Sequence, residues 1–176
     1  MNEFLLLFEE VRNKLKSAIE KWALYVEKGQ SDKILLGNSS CQIELENIDN
    51  KYVSFKFSQN RGHRDSPFLL THYLDTVDEG LASKLLPLPP YEWDEEKRID
   101  YYLDKYNEIL LNHFERPLIG DFAWISKLDQ IESENKELVN LIVAELRRGN
   151  PKASEANSKR RSGDPTWKTA ARALKQ

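Results

Sequence analysis

Apolar residues recur at helical spacing over three long stretches of this chain and at a spacing of two in the region between the first and second. Over Asp94–Phe114, Ile99, Tyr102, Leu103, Tyr106, Ile109, Leu110, His113 and Phe114 draw one stripe, because positions three and four apart share a helix face. Asp94 can cap the start, Glu95 and Glu96 suit the positive end of the helix dipole, and Pro117 marks a stop beyond the end. This spacing predicts the central helix of a domain. Glu3–Lys28 predicts a second long amphipathic helix, with Phe4, Phe8, Val11, Leu15, Ile19, Trp22 and Val26 on one stripe and Gly29 placed to end it. Glu132–Arg148 predicts a third, with Leu138, Leu141, Ile142, Glu145 and Leu146 around its packing side and Gly149 as the stop.

Between the first two helices the period changes. The segments 33–37 (KILLG), 41–47 (CQIELEN) and 52–58 (YVSFKFS) read as three short strands joined by turns at Gly37–Ser40 and Ile48–Asn50. Ile43 and Leu45, then Val53, Phe55 and Phe57, alternate with polar neighbours, the pattern of an antiparallel meander with one buried and one wet face. An extended piece near Phe68–Thr71 and a short helix near Thr76–Leu85 follow, then a loop stiffened by Pro87, Pro89 and Pro90. The fold class expected is α+β: a small antiparallel sheet of three to four strands packed against several helices, with a helix-rich C-terminal half. Residues 1–148 are expected to form one globular domain. Residues 149–163 lack apolar periodicity and read as a flexible polar linker. Residues 164–176 read as a short basic helix capped by Asp164, with Pro165 at its first position and Trp167, Ala171 and Leu174 on one face.

The 176 residues suit one domain of ordinary size, and 40% hydrophobic with 31% charged residues is the makeup of a soluble globular protein. No apolar run approaches the roughly 20 residues that cross a bilayer, and the acidic opening MNEFLLLFEE lacks the marks of a signal peptide. Membrane attachment is therefore not expected, and the single Cys41 fits a reducing cytoplasm. The net charge of -3 conceals an asymmetry: residues 147–176 hold nine Lys/Arg against Glu155 and Asp164, leaving a balance of −10 on the rest. An acidic body repels nucleic acid at long range and attracts basic partners.

Candidate chemistry is sparse. His63, His72 and His113 lack the spacing of a helical zinc site, and there is no CxxC, HExxH, phosphate loop, dinucleotide fingerprint or nucleophile elbow. No catalytic set, metal site or cofactor is expected on these grounds. The loop Arg61, Gly62, His63, Arg64, Asp65 admits two readings: a phosphate-holding loop with His63 as proton carrier, or a solvated loop whose charges pair locally. Tyr91, Glu92, Trp93, Asp94, Glu95 and Glu96 interleave two large aromatics with four acids on the proline-stiffened loop. Aromatics of this kind anchor interfaces, and the carboxylates would steer a basic partner to them. Alternatively Trp93 staples the helix start to the core and the acids complement the helix dipole. The basic stretch 159–175, with Lys159, Arg160, Arg161 and Trp167, offers the one route to nucleic acid.

In its soluble α+β domain, acidic body, single Cys41 and lack of a catalytic set, the chain resembles the small immunity proteins of bacterial contact-dependent inhibition and polymorphic-toxin systems. The likeness covers residues 1–148, and the basic tail departs from it. The resemblance implies a cytoplasmic, non-catalytic inhibitor that caps a basic, nuclease-type toxin through an acidic surface. Two other classes remain open: a nucleic-acid-binding regulator using the tail, and a small hydrolase centred on His63.

Overall fold

The alternating segments pair as an antiparallel meander. Strands β1 (Tyr25–Lys28), β2 (Ile34–Gly37), β3 (Cys41–Ile48), β4 (Tyr52–Gln59) and β5 (Phe68–Leu69) lie in the order of the chain. The computed structural model describes residues 3–30, 33–48, 52–60, 67–164 and 166–175, with side chains from Leu7 onward. The expected turn residues Asp49 and Asn50, together with Pro165 and the side chain of Phe4, fall outside the described residues. By its internal contacts the chain divides into two units, Met1–Trp124 and Ile125–Gln176.

Register fixes which face of the sheet is buried. Leu36 opposes Ile43, which opposes Phe57, which opposes Phe68; Ile34 opposes Leu45, which opposes Phe55. All seven are buried, whereas Gln42, Glu44 and Glu46 on the other face are partly exposed. Lys33–Glu44 (2.9 Å) and Lys56–Glu46 (3.6 Å) pair across that outer face. Cys41 is wholly buried on the inner face, and burial pushes its thiol up to about 12, so it is no nucleophile at neutral pH.

The sheet has five strands, not the three or four expected, because the first helical stripe does not run to Lys28. It breaks into α1 (Glu3–Lys14) and α2 (Lys16–Trp22), and Tyr25–Lys28 then pairs with β2 as an edge strand. Trp22 and Val26 sit four apart, a spacing a helix allows, but tertiary pairing overrides it. The chain reverses at Ala23, whose φ of 48 and ψ of 47 lie in the left-handed region. A side chain there costs about 1 kcal/mol or more. Ala23→Gly is therefore expected to raise stability by roughly 0.5–1 kcal/mol, net of the extra freedom glycine gives the unfolded chain. Denaturant titration checks this, and a lower midpoint would contradict it.

After β5 come α3 (Leu70–Val77) and α4 (Leu81–Leu85), in place of one helix over 76–85. The central helix forms where the stripe places it, as α5 (Glu95–Asn112), with Tyr102, Leu103, Tyr106, Ile109 and Leu110 buried. Asp94 caps it by accepting the Lys97 N–H at 2.9 Å. At the other end α2 supplies donors to carbonyls the helix leaves without partners: Trp22 Nε1 to Leu110 O at 2.8 Å and Lys21 Nζ to Leu111 O at 2.7 Å. Tyr106 packs edge-on against Phe55 at 5.1 Å and donates its hydroxyl to Val53 O, which joins α5 to β4. The short helix α6 (Glu115–Leu118) carries the chain onward to Trp124. Phe57 lies among Phe68, Tyr73, Phe114 and Trp124, with centroid separations of 4.8–5.9 Å.

The second unit corrects the expected domain limits. Residues 125–147 form one unbroken helix, α7 (Ile125–Arg147), since nothing between Gly120 and Gly149 breaks it. The expected flexible linker is instead a helix, α8 (Pro151–Arg161). Asn150 caps it by accepting the Lys152 N–H at 3.0 Å, and Pro151 suits its first turn. Only Ala153 and Ala156 are buried along it, so packing here uses small residues and leaves no large apolar stripe to read. Asp164 accepts from the Thr166 N–H at 2.8 Å and hydroxyl at 2.7 Å before α9 (Trp167–Arg172). Leu138, Ile142, Ala156 and Ala171 make the unit's core, with Leu146, Trp167, Ala170 and Leu174 against it. Arg172 holds Glu134 at 2.7 Å.

Candidate functional site

The aromatic and acidic residues expected to act together at 91–96 are held on different sides of α5. Tyr91 is 92% exposed, with the Arg98 guanidinium over its ring at 5.8 Å and donating to its carbonyl. Trp93 is half-buried edge-on against Tyr101 at 5.8 Å, and Tyr101 donates to Pro87 O at 2.6 Å. Trp93 thus pins the proline loop to the helix. Asp94 is committed to the cap and pairs with Lys97 at 3.2 Å; these contacts hold its carboxyl below the usual carboxylate range. Glu95 accepts from Asn47 at 3.1 Å, while Glu92 and Glu96 stand exposed.

Glu96 belongs to a longer row. Glu96, Asp100 and Asp104 follow one another at intervals of four and so line one stripe of α5. Arg98, Tyr101 and Lys105 lie on another stripe, with Tyr91 and Trp93 against it. The acidic stripe faces α1, where Lys14 reaches Asp100 at 3.2 Å and Asp104 at 3.3 Å. Burial alone would pull the Lys14 ammonium down, but the two carboxylates outweigh it and hold its pKa above the ordinary value. One turn before Lys14, Glu10 has its carboxyl raised by burial and by Asp100, Glu96 and Glu95, against the smaller opposing pull of Lys14. Glu10, Glu95, Glu96, Asp100 and Asp104 thus form one negative surface across two helices.

Glu10 and the pair Asp100 and Asp104 were not legible as partners before the helices were placed together. The spacing 96, 100, 104 was the available signal; the crossing of α1 was not. The crowding has a measurable consequence. A raised carboxyl pKa means that ionisation is penalised in the folded protein more than in the unfolded chain. The cost is present above the folded-state pKa and absent once pH falls below the unfolded value. Glu10→Gln is expected to stabilise the protein near neutral pH by roughly 0.5 kcal/mol, and the gain should fade as pH drops through the carboxylate range. A gain that persists unchanged in acid would contradict the electrostatic cause.

The loop residues Arg61, His63, Arg64 and Asp65 lie outside the described residues. His72 is exposed on α3, and His113 is half-buried just past α5, its backbone N–H donating to Ile109 O at 2.8 Å. Among the described residues no group of three or more His, Cys, Asp or Glu side chains is placed to hold a metal ion, and no helix is long and apolar enough to cross a membrane. Comparison with protein-family models, with characterised proteins and with solved structures finds no match to this chain.

Proposed function

We propose that the N-terminal unit is a non-catalytic protein-binding domain, an inhibitor of the immunity type that caps a basic, nuclease-like partner with the acidic stripe of α1 and α5. The observation that carries this reading is the crowding of Glu10 by Asp100, Glu96 and Glu95, with Asp100 and Asp104 sharing Lys14 beside it. A protein surface does not hold five carboxylates together without electrostatic cost, and a cationic partner removes that cost on binding. Over the unit as a whole, 22 Asp/Glu stand against 15 Lys/Arg, so its long-range field favours the same partner. The stripe is also pre-organised. α5 is fixed at its start by the Asp94 cap, in its middle by Tyr106 on β4 and at its end by Trp22 and Lys21. Such a surface loses little freedom when it docks.

A nuclease suits the complement because a cleft that binds phosphodiesters is itself basic. The cytoplasm is where such an inhibitor meets its target, and no cofactor enters its action. Co-expressing the chain with the protein encoded beside it tests the proposal. The expected result is a toxic nuclease whose activity is lost in a stable complex. A neighbour that is neither toxic nor bound would contradict it.

A further inference from the structure

The C-terminal unit has the opposite charge and a different kind of surface. Residues 125–176 hold 11 Lys/Arg against seven Asp/Glu, a balance of +4. Helix α8 buries only Ala153 and Ala156, and its exposed side chains are Pro151, Lys152, Ser154, Glu155, Ser158, Arg160 and Arg161. No large apolar or aromatic residue lies on that helix, so it lacks the anchors a protein partner would bury. Trp167 packs against the unit's own core with Leu174 and does not supply an open stacking platform. What α8 does present are ammonium, guanidinium and hydroxyl donors.

We infer that the C-terminal unit grips the phosphodiester backbone of nucleic acid through α8, using Lys152, Lys159, Arg160 and Arg161, without reading bases. Lys152 and Lys159 are seven residues apart and share one side of the helix, about 10 Å along its axis. That span is comparable with the ~12 Å width of the DNA major groove, whose rims are phosphates. Lys159, itself partly exposed, also pairs with the exposed Glu155 at 2.9 Å, a contact that a phosphate can replace at little cost. Arg160 and Arg161 follow Lys159 in the last turn of α8, on successive sides of the helix, where the forked donors of arginine suit phosphate oxygens. Phosphate contacts of this kind position a protein on nucleic acid and carry no sequence information. The inference is independent of the partner assigned to the N-terminal unit.

Titrating the full chain into a labelled DNA duplex of random sequence, and separately into a single-stranded RNA, tests the inference. Binding to at least one is expected. With four phosphates neutralised on duplex DNA, affinity should fall about 100-fold between about 50 and 200 mM salt. Changing Lys152, Lys159, Arg160 and Arg161 together to Gln should weaken binding at least tenfold with an unchanged circular dichroism spectrum. Should that variant unfold, the single changes Lys152→Gln and Arg161→Gln replace it, each expected to reduce the salt slope by about one. The duplex and RNA arms identify which backbone is bound. No binding at low salt, binding indifferent to these changes, or equal competition by polyglutamate would overturn the inference.

Discussion

Phe57→Ala is expected to destabilise the N-terminal unit by about 3–5 kcal/mol, enough to unfold much of a marginally stable domain. Phe57 is 1% exposed and meets Phe68, Tyr73, Phe114 and Trp124 at once. These rings come from β5, α3, the residue that opens α6 and the last residue of the unit. Removing the central ring therefore leaves a cavity walled by four different segments, and a wall so assembled cannot collapse by moving one side chain. Phe57→Leu keeps much of the volume and should cost distinctly less. Denaturant unfolding followed by tryptophan fluorescence separates the two, since Trp124 stands beside the cavity. Equal costs for both variants would place the stability elsewhere.

The second large effect is expected on binding. Changing Glu96, Asp100 and Asp104 together to Lys reverses the acidic stripe while touching no buried side chain. Close charge pairs across an interface are worth about 1.5–7 kcal/mol each when measured pairwise, so affinity for a basic partner should fall on the order of 1,000-fold. Because the reversal leaves Lys14 among like charges, the neutral set Glu96→Gln, Asp100→Asn and Asp104→Asn serves as the control for altered α1–α5 packing. It should lose affinity in the same direction, by less, and keep the melting temperature. Trp93→Ala probes the other side of α5. Trp93 rests on Tyr101 and stands away from the acidic stripe. That change should loosen the proline loop and leave partner association nearly as fast as before. If Trp93→Ala and the charge reversal slowed association equally, the docking surface would be centred on the loop.

Much of the N-terminal unit could be read from residue patterns because its elements are locally consistent. Asp94, Glu95 and Glu96 announce the start of α5, and its stripe from Tyr102 to Leu110 turns inward as the spacing requires. The strands Cys41–Ile48 and Tyr52–Gln59 alternate cleanly enough to fix their own inward face. Failures came where long-range pairing or small residues decide the outcome. Tyr25–Lys28 continues a helical stripe in sequence and becomes a strand only because Ile34–Gly37 offers it a ladder. Helix α8 carries nothing larger than alanine on its buried side, so no apolar period marks it. Its capping Asn150 and the following Pro151 were the readable signs. The acidic surface was half legible. Its α5 members share a stripe by spacing, whereas Glu10 joins them only through the crossing of α1. The six residues 91–96 are contiguous in sequence, yet the helix turns their aromatics and Glu96 to different sides.

The central claim is that a fixed negative surface on the N-terminal unit captures a basic protein. Stopped-flow association with the adjacent-gene product, measured over ionic strengths from about 0.02 to 0.3 M, tests it most directly. The account predicts an association rate constant that falls more than about tenfold across that range for the native chain, and that is slower and nearly flat when Glu96, Asp100 and Asp104 are neutralised. A rate that ignores salt in the native chain, or a slope that survives loss of the three carboxylates, would contradict it.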